Sequence, residues 1–132
     1  MTAKGKIACS CEGGINVVLA CSGASNVGQI TNEVAKKLDM KGLAKFFCLS
    51  GVGGHISGMV ASVKGADKVL VLDGCPVGCA KSCMKETNLN NFQYLIVTEL
   101  GIEKKHSFDL SERDVEMALS CAREKLRASQ KC

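Results

Sequence analysis

Short apolar runs alternate along this chain with stretches in which apolar residues recur every three or four positions. The runs at 15–20, 45–49 and 68–72 are almost wholly aliphatic or aromatic, and 92–100 contains a fourth. Short, nearly continuous apolar runs are typical of strands that are buried on both faces of a parallel sheet. The pattern therefore predicts four such strands.

The stretches between and after these runs have the spacing of amphipathic helices. They predict helices over 26–38, 58–64, 76–86 and 111–126. Residues suited to helix ends flank them: Ser25 or Asn26 and Gly42 for the first, Ser57 and Gly65 for the second, Pro76 for the third, and Ser111 with Asp114 for the last.

Alternating strands and helices with short connections predict parallel strands joined by right-handed crossovers. We therefore expect an α/β fold: a three-layer domain with about four parallel strands, flavodoxin-like or Rossmann-like. A chain of 132 residues is long enough for a single domain over 1–132. Residues 1–12 and 128–132 are expected to be mobile tails.

Composition narrows the class of partner. The chain carries a net charge of +4, but its 17 basic residues are scattered and no aromatic residues are interleaved with them. This distribution argues against nucleic-acid binding. The longest apolar run near the start is about a third of a membrane span, and no usable signal peptide precedes it. We expect a cytoplasmic protein that binds neither nucleic acid nor membrane, and its protein partners are left open.

Cysteine is the residue type that stands out. There are nine cysteines, an odd number, in a chain with long aliphatic strands, which argues against a disulfide scaffold and for metal ligands or redox groups. Cys21, Cys48 and Cys75 lie 27 residues apart, each at or just after the end of a predicted strand and each followed closely by glycine. Since the carboxyl ends of parallel strands share one edge, these three thiols should converge there.

Cys79 adds a fourth thiol, four residues after Cys75, on the same face of the helix that Pro76 is expected to open. A helix N-terminus stabilises a thiolate, which is the form that binds metal. Four thiolates suit the tetrahedral site that zinc prefers in structural settings. The sequence therefore predicts a zinc site formed by Cys21, Cys48, Cys75 and Cys79, with an iron–sulfur cluster as the alternative.

Other candidates are weaker. Cys83 and His55 could join the site, although core packing and a solvated loop are the ordinary roles for such residues. Asp73 is expected to form a turn or to accept hydrogen bonds behind the thiols, and Lys81 either to offset their charge or to be an ordinary exposed lysine. No site role is expected for the remaining cysteines: Cys9, Cys11, Cys121 and Cys132.

Four ordered stretches resemble those of the DGC-domain family: CSGASNVGQ at 21–29, CLSGVGGHISG at 48–58, DGCPVGCAK at 73–81 and TELGIEK at 98–104. The resemblance runs over about 21–110. It implies a zinc-binding protein with four chelating cysteines, which on this chain are the same four, and it implies no reaction. Glu99 stands where the family's Thr-Asp-x-Gly motif has aspartate.

Two classes of function follow from these residues. The first is a metal-binding domain whose zinc is structural or sensory. The second is a protein that uses the thiols directly, in redox chemistry, sulfur transfer or metalloid handling. Phosphatase or phosphoryl-carrier chemistry is a third class, and the sequence argues against it because the loop 22–28, which resembles a phosphatase nucleophile loop, has no arginine to bind phosphate. The sequence does not decide whether the protein is an enzyme.

Overall fold

Four parallel strands form the centre of the structure, a computed structural model that describes residues 14–128. They are β1 (Asn16–Ala20), β2 (Lys45–Phe47), β3 (Lys68–Asp73) and β4 (Gln93–Ile96). Their order across the sheet is β2-β1-β3-β4, and each neighbouring pair is parallel. This is the order of a flavodoxin-like sheet, so the predicted α/β fold with four parallel strands is confirmed.

Five α-helices cover the two faces of the sheet. They are α1 (Asn26–Met40), α2 (Leu49–Gly53), α3 (Ser57–Lys64), α4 (Cys79–Glu86) and α5 (Glu112–Ala128), and a short 3₁₀ helix spans Val97–Leu100. Helices α1 and α5 pack on one face, and α2, α3 and α4 pack on the other.

Alternate residues of the central strands supply the two cores. Val18 and Leu70 contact the core under α1 and α5, whereas Val17, Leu19 and Val71 contact the core under the other three helices. All five side chains are fully buried. Burial on both faces is the physical reason why these strands are continuous apolar runs in the sequence.

Most of the predicted helix ends are confirmed. The Ser25 hydroxyl accepts a hydrogen bond from the Gly28 N–H at the start of α1. Gly42, with φ of 73°, follows the end of the same helix. The Ser111 hydroxyl accepts from the Asp114 N–H at the start of α5, at 3.3 Å. These contacts satisfy backbone groups that a helix leaves without partners at its ends.

Two helix starts were predicted wrongly. Ser57 is the first residue of α3 rather than its cap. Helix α4 begins at Cys79 rather than Pro76, because Gly78 takes a left-handed conformation with φ of 73° and interrupts the helical path. Cys75 therefore lies in the loop before α4 and does not share a helix face with Cys79. Helix α2, in the glycine-rich segment after β2, was not predicted at all.

The predicted tails fall outside residues 14–128, except that Ala128 ends α5. Cys9, Cys11 and Cys132 also lie outside the described residues. From residue 14 to residue 128, no helix combines the length and apolar character needed to cross a bilayer.

Candidate functional site

A cavity of about 140 Å³ opens at the carboxyl ends of β1 and β3. The chain leaves β1 toward β2 on one side and leaves β3 toward β4 on the other, so this is the point where the strand order reverses. Open α/β sheets bind their ligands at such a point. The sides of the cavity are the loop from β1 to α1, the loop from β3 to α4, and Lys104.

Two glycines allow close backbone contacts, one within the β1–α1 segment and one between that segment and the β3–α4 loop. A Cβ on Gly28 would lie 2.6 Å from the Gly23 carbonyl oxygen, and a Cβ on Gly74 would lie 2.7 Å from the Gly28 nitrogen. No side chain fits between backbones this close. The contact between Gly74 and Gly28 brings the loop that contains Cys21 against the loop that contains Cys75.

Three of the four predicted ligands line this cavity: Cys21, Cys75 and Cys79. Cys21 packs partly against the core under α2–α4, and Cys75 packs partly against the core under α1 and α5. Within residues 14–128, no three or more His, Cys, Asp or Glu side chains form a group that could hold a metal ion. The three thiols therefore share a cavity without forming a ready-made ligand group.

Cys48 does not line the cavity. It follows β2, the edge strand beside β1, and its thiol is exposed and lies 3.2 Å from the Ser50 hydroxyl. Hydrogen bonds from that hydroxyl and from the Gly51 N–H lower the pKa of the Cys48 thiol, which favours the thiolate at the start of α2. Its membership of the site stays a prediction.

Cys83 and His55 are also absent from the cavity lining. Cys83 lies against α2, where a Cβ on Gly53 would be 2.9 Å from its sulfur atom. Burial, together with nearby Cys79 and Asp73, raises the pKa of the Cys83 thiol. His55 is exposed, with φ of 61°, at the end of the α2 segment. Cys121 is half-buried against the core under α5.

Lys104 is the functional candidate that the sequence reasoning missed. Its ammonium group donates to the Cys75 sulfur atom at 3.4 Å. For Lys81 the sequence left open whether it offsets the thiolates or is an ordinary exposed lysine. The side chain is exposed, and its Nζ lies over the Tyr94 ring, 5.2 Å from the centroid. No local spacing could have found Lys104, because 29 residues separate it from Cys75.

Asn26 holds the segment that contains Lys104. Its side-chain amide donates to the Glu103 carbonyl at 2.8 Å, and its Oδ1 accepts from the Lys105 N–H at 2.6 Å. Its own backbone N–H donates to the Lys105 carbonyl. Asn26 itself is buried, and its two side-chain hydrogen bonds are partly buried. The first residue of α1 thereby fixes both neighbours of the lysine beside Cys75.

Asp73 also lines the cavity, and only 1% of its surface is exposed. Its carboxylate accepts hydrogen bonds from the Ala80 N–H, the Lys81 N–H and the Tyr94 hydroxyl. Burial and the bond to this carboxylate raise the pKa of the Tyr94 hydroxyl, which keeps it protonated as the donor. Asp73 is therefore a hydrogen-bond acceptor that links the end of β3 to the start of α4, and its role behind metal-binding thiols stays a prediction.

The sequence of this chain is similar to a known family of proteins. The family model described as the DGC domain matches residues 17–124. A protein named "Anaerobic and virulence modulator AnvM", from Pseudomonas aeruginosa, is 37% identical over 100 residues, which are 76% of this chain and 76% of that protein. No solved structure matches the chain. The matched range contains all four predicted ligands as well as Lys104.

Proposed function

Since this chain belongs to the DGC-domain family, we propose that the cavity between β1 and β3 is a thiolate site for a zinc ion. Cys21, Cys75 and Cys79 would supply three ligands, and Cys48, at the neighbouring strand end, would supply the fourth. The observation that carries the proposal is that three cysteines distant in sequence line one cavity at the switch point of the sheet.

The charges around the cavity support a cation as the ligand. Asp73 adds a buried carboxylate to the lining, and Lys104 is the one cationic side chain among the described lining residues. Four thiolates around a divalent ion leave excess negative charge, which the ammonium group beside Cys75 would offset. Gly23 leaves the space beside the Cys21 sulfur atom open, since a Cβ there would lie 3.7 Å from that atom.

Binding must draw the sulfur atoms closer together than they are in this structure, since the thiols do not form a ligand group. A bound zinc ion would cross-link the ends of β1 and β3 and the start of α4. Such a cross-link suits a structural or sensory role, because it couples metal occupancy to the arrangement of three segments. The relative from P. aeruginosa is named a modulator, which favours the sensory role.

A second candidate is direct thiol chemistry, which includes redox exchange, sulfur transfer and metalloid handling. The contact between Lys104 and Cys75 favours it, since a cation beside a cysteine stabilises the nucleophilic thiolate. An iron–sulfur cluster on the same thiols is the remaining variant.

Elemental analysis of protein purified anaerobically, with reductant and without added metal, distinguishes these functions. We expect about one zinc per chain and no visible absorption, because zinc has a filled d shell. Iron together with a visible charge-transfer band would show that the site holds an iron–sulfur cluster instead of zinc. Protein that stays free of metal, even after incubation with zinc, would contradict the proposal and leave direct thiol chemistry.

A further inference from the structure

Helix α4 begins without a cap from the residue before it. That residue is Gly78, which has no side chain. The first turn of a helix nevertheless leaves backbone N–H groups that need acceptors. Two of them, at Ala80 and Lys81, donate to the Asp73 carboxylate oxygens at 2.8 Å and 3.0 Å. The end of β3 thus caps α4 across the whole connecting loop.

The same carboxylate is tied to a second strand. The Tyr94 hydroxyl donates to Asp73 Oδ2 at 2.6 Å, and Tyr94 stands on β4, opposite Val71 of β3. The Lys81 ammonium group lies over the Tyr94 ring, 5.2 Å from its centroid. Two strands and one helix therefore meet at a single buried side chain.

A buried carboxylate is costly to desolvate unless hydrogen bonds satisfy it. Asp73 has three of them, and within residues 14–128 no ion pair includes it. Asp73 lies two residues before Cys75, and the helix it caps begins with Cys79. It thereby spans the loop that separates two of the thiols lining the cavity.

We infer that Asp73 and Tyr94 are positioning residues of the thiol site, which fix where Cys79 stands relative to Cys75. The expected effect on metal affinity rests on the proposed function. The expected effect on the placement of Cys79 relative to Cys75 does not. Hydrogen-bonded groups behind metal ligands typically alter metal affinity 10–100-fold when they are removed.

The variants are Asp73→Asn and Tyr94→Phe, with Thr87→Val as the matched control. In asparagine an N–H₂ group replaces one of the two carboxylate oxygens. That group cannot accept a hydrogen bond, so one of the two backbone N–H groups, at Ala80 or Lys81, loses its acceptor. Tyr94→Phe keeps both backbone hydrogen bonds to Asp73 and removes only the hydrogen bond from the Tyr94 hydroxyl on β4. Thr87 bonds the Cys83 and Met84 carbonyls at the other end of α4, so its loss weakens the helix away from Cys79.

Two measurements follow. Hydrogen exchange at the Ala80 and Lys81 amides reports the cap and needs no metal. Titration with Co²⁺, followed by the sulfur-to-cobalt absorption band, reports the placement of the thiols. We expect about 10-fold faster exchange in Asp73→Asn and Co²⁺ affinity about 10–100-fold weaker, with a smaller loss of affinity in Tyr94→Phe. Thr87→Val should leave both measurements close to wild type.

The outcomes separate the two proposals. If the wild-type protein binds no Co²⁺, the proposed function fails, and faster exchange at the two amides in Asp73→Asn still supports the positioning role. If Asp73→Asn does not fold, Tyr94→Phe carries the test. Wild-type exchange and wild-type Co²⁺ affinity in Tyr94→Phe and in folded Asp73→Asn would overturn the inference, as would losses of the same size in Thr87→Val.

Discussion

Replacing Gly28 with alanine is expected to lower the free energy of unfolding by about 3 kcal/mol, the upper end of the usual cost of overpacking. The new Cβ would lie 2.6–2.7 Å from the carbonyl oxygen, carbonyl carbon and Cα of Gly23. All three are backbone atoms, so no side-chain rotation relieves the clash. Relief requires the β1–α1 loop to move, and with it Cys21. Urea denaturation measures the loss of stability.

Gly58→Ala is the matched control. Gly58 lies in α3, and nothing stands within 4 Å of the Cβ that the substitution adds. Alanine is the better helix former, so this variant should be more stable than wild type by up to about 1 kcal/mol. A Gly28→Ala variant as stable as wild type would show that the backbone contact between Gly28 and Gly23 within the β1–α1 segment is not tight.

Replacing Asn26 with alanine is expected to lower the free energy of unfolding by about 2 kcal/mol, through the loss of two partly buried side-chain hydrogen bonds. The Glu103 carbonyl and the Lys105 N–H lose their side-chain partner, while the backbone bond from the Asn26 N–H to the Lys105 carbonyl remains. Lys104 should then be held less firmly beside Cys75. Urea denaturation reports the first effect, and faster hydrogen exchange at the Lys105 amide reports the second.

Asn32→Ala is the control for this helix. The Asn32 side chain accepts a hydrogen bond from the Ser22 hydroxyl at 2.9 Å, but this contact is exposed. Its loss should change stability by less than about 0.5 kcal/mol, as is usual for surface substitutions. Equal losses of stability in the two variants, or unchanged exchange at Lys105 in Asn26→Ala, would contradict the role given to Asn26.

The hydrophobic pattern was sufficient to predict the fold. Because the strands are buried on both faces, the apolar runs at 15–20 and 68–72 predicted the bounds of β1 and β3 to within one residue. The helix caps at Ser25 and Ser111 are local interactions and could be predicted from local sequence. The start of α4 could not, because a proline there favours an early helix start and the left-handed turn at Gly78 overrides it.

The candidate site was predictable only where topology decides the position of a residue. The equal spacing of Cys21, Cys48 and Cys75, combined with a parallel sheet, was enough to place them along one edge. Strand order then separates them, since β2 is an edge strand and the cavity forms between β1 and β3. The contact between Lys104 and Cys75 depends on the path of a long loop, which no periodicity encodes.

If Cys75 belongs to one metal site with the other cavity thiols, its replacement must lower the zinc content of the protein. Zinc per chain should be measured in anaerobically purified Cys75→Ser, Cys48→Ser and Cys121→Ser, alongside the melting temperature of each sample. We predict that Cys75→Ser and Cys48→Ser lose most of their zinc while remaining folded, because a serine hydroxyl holds its proton too tightly to ligate zinc near neutral pH. Cys121→Ser should keep wild-type zinc. Full zinc occupancy in folded Cys75→Ser would show that Cys75 is not a ligand of the zinc site.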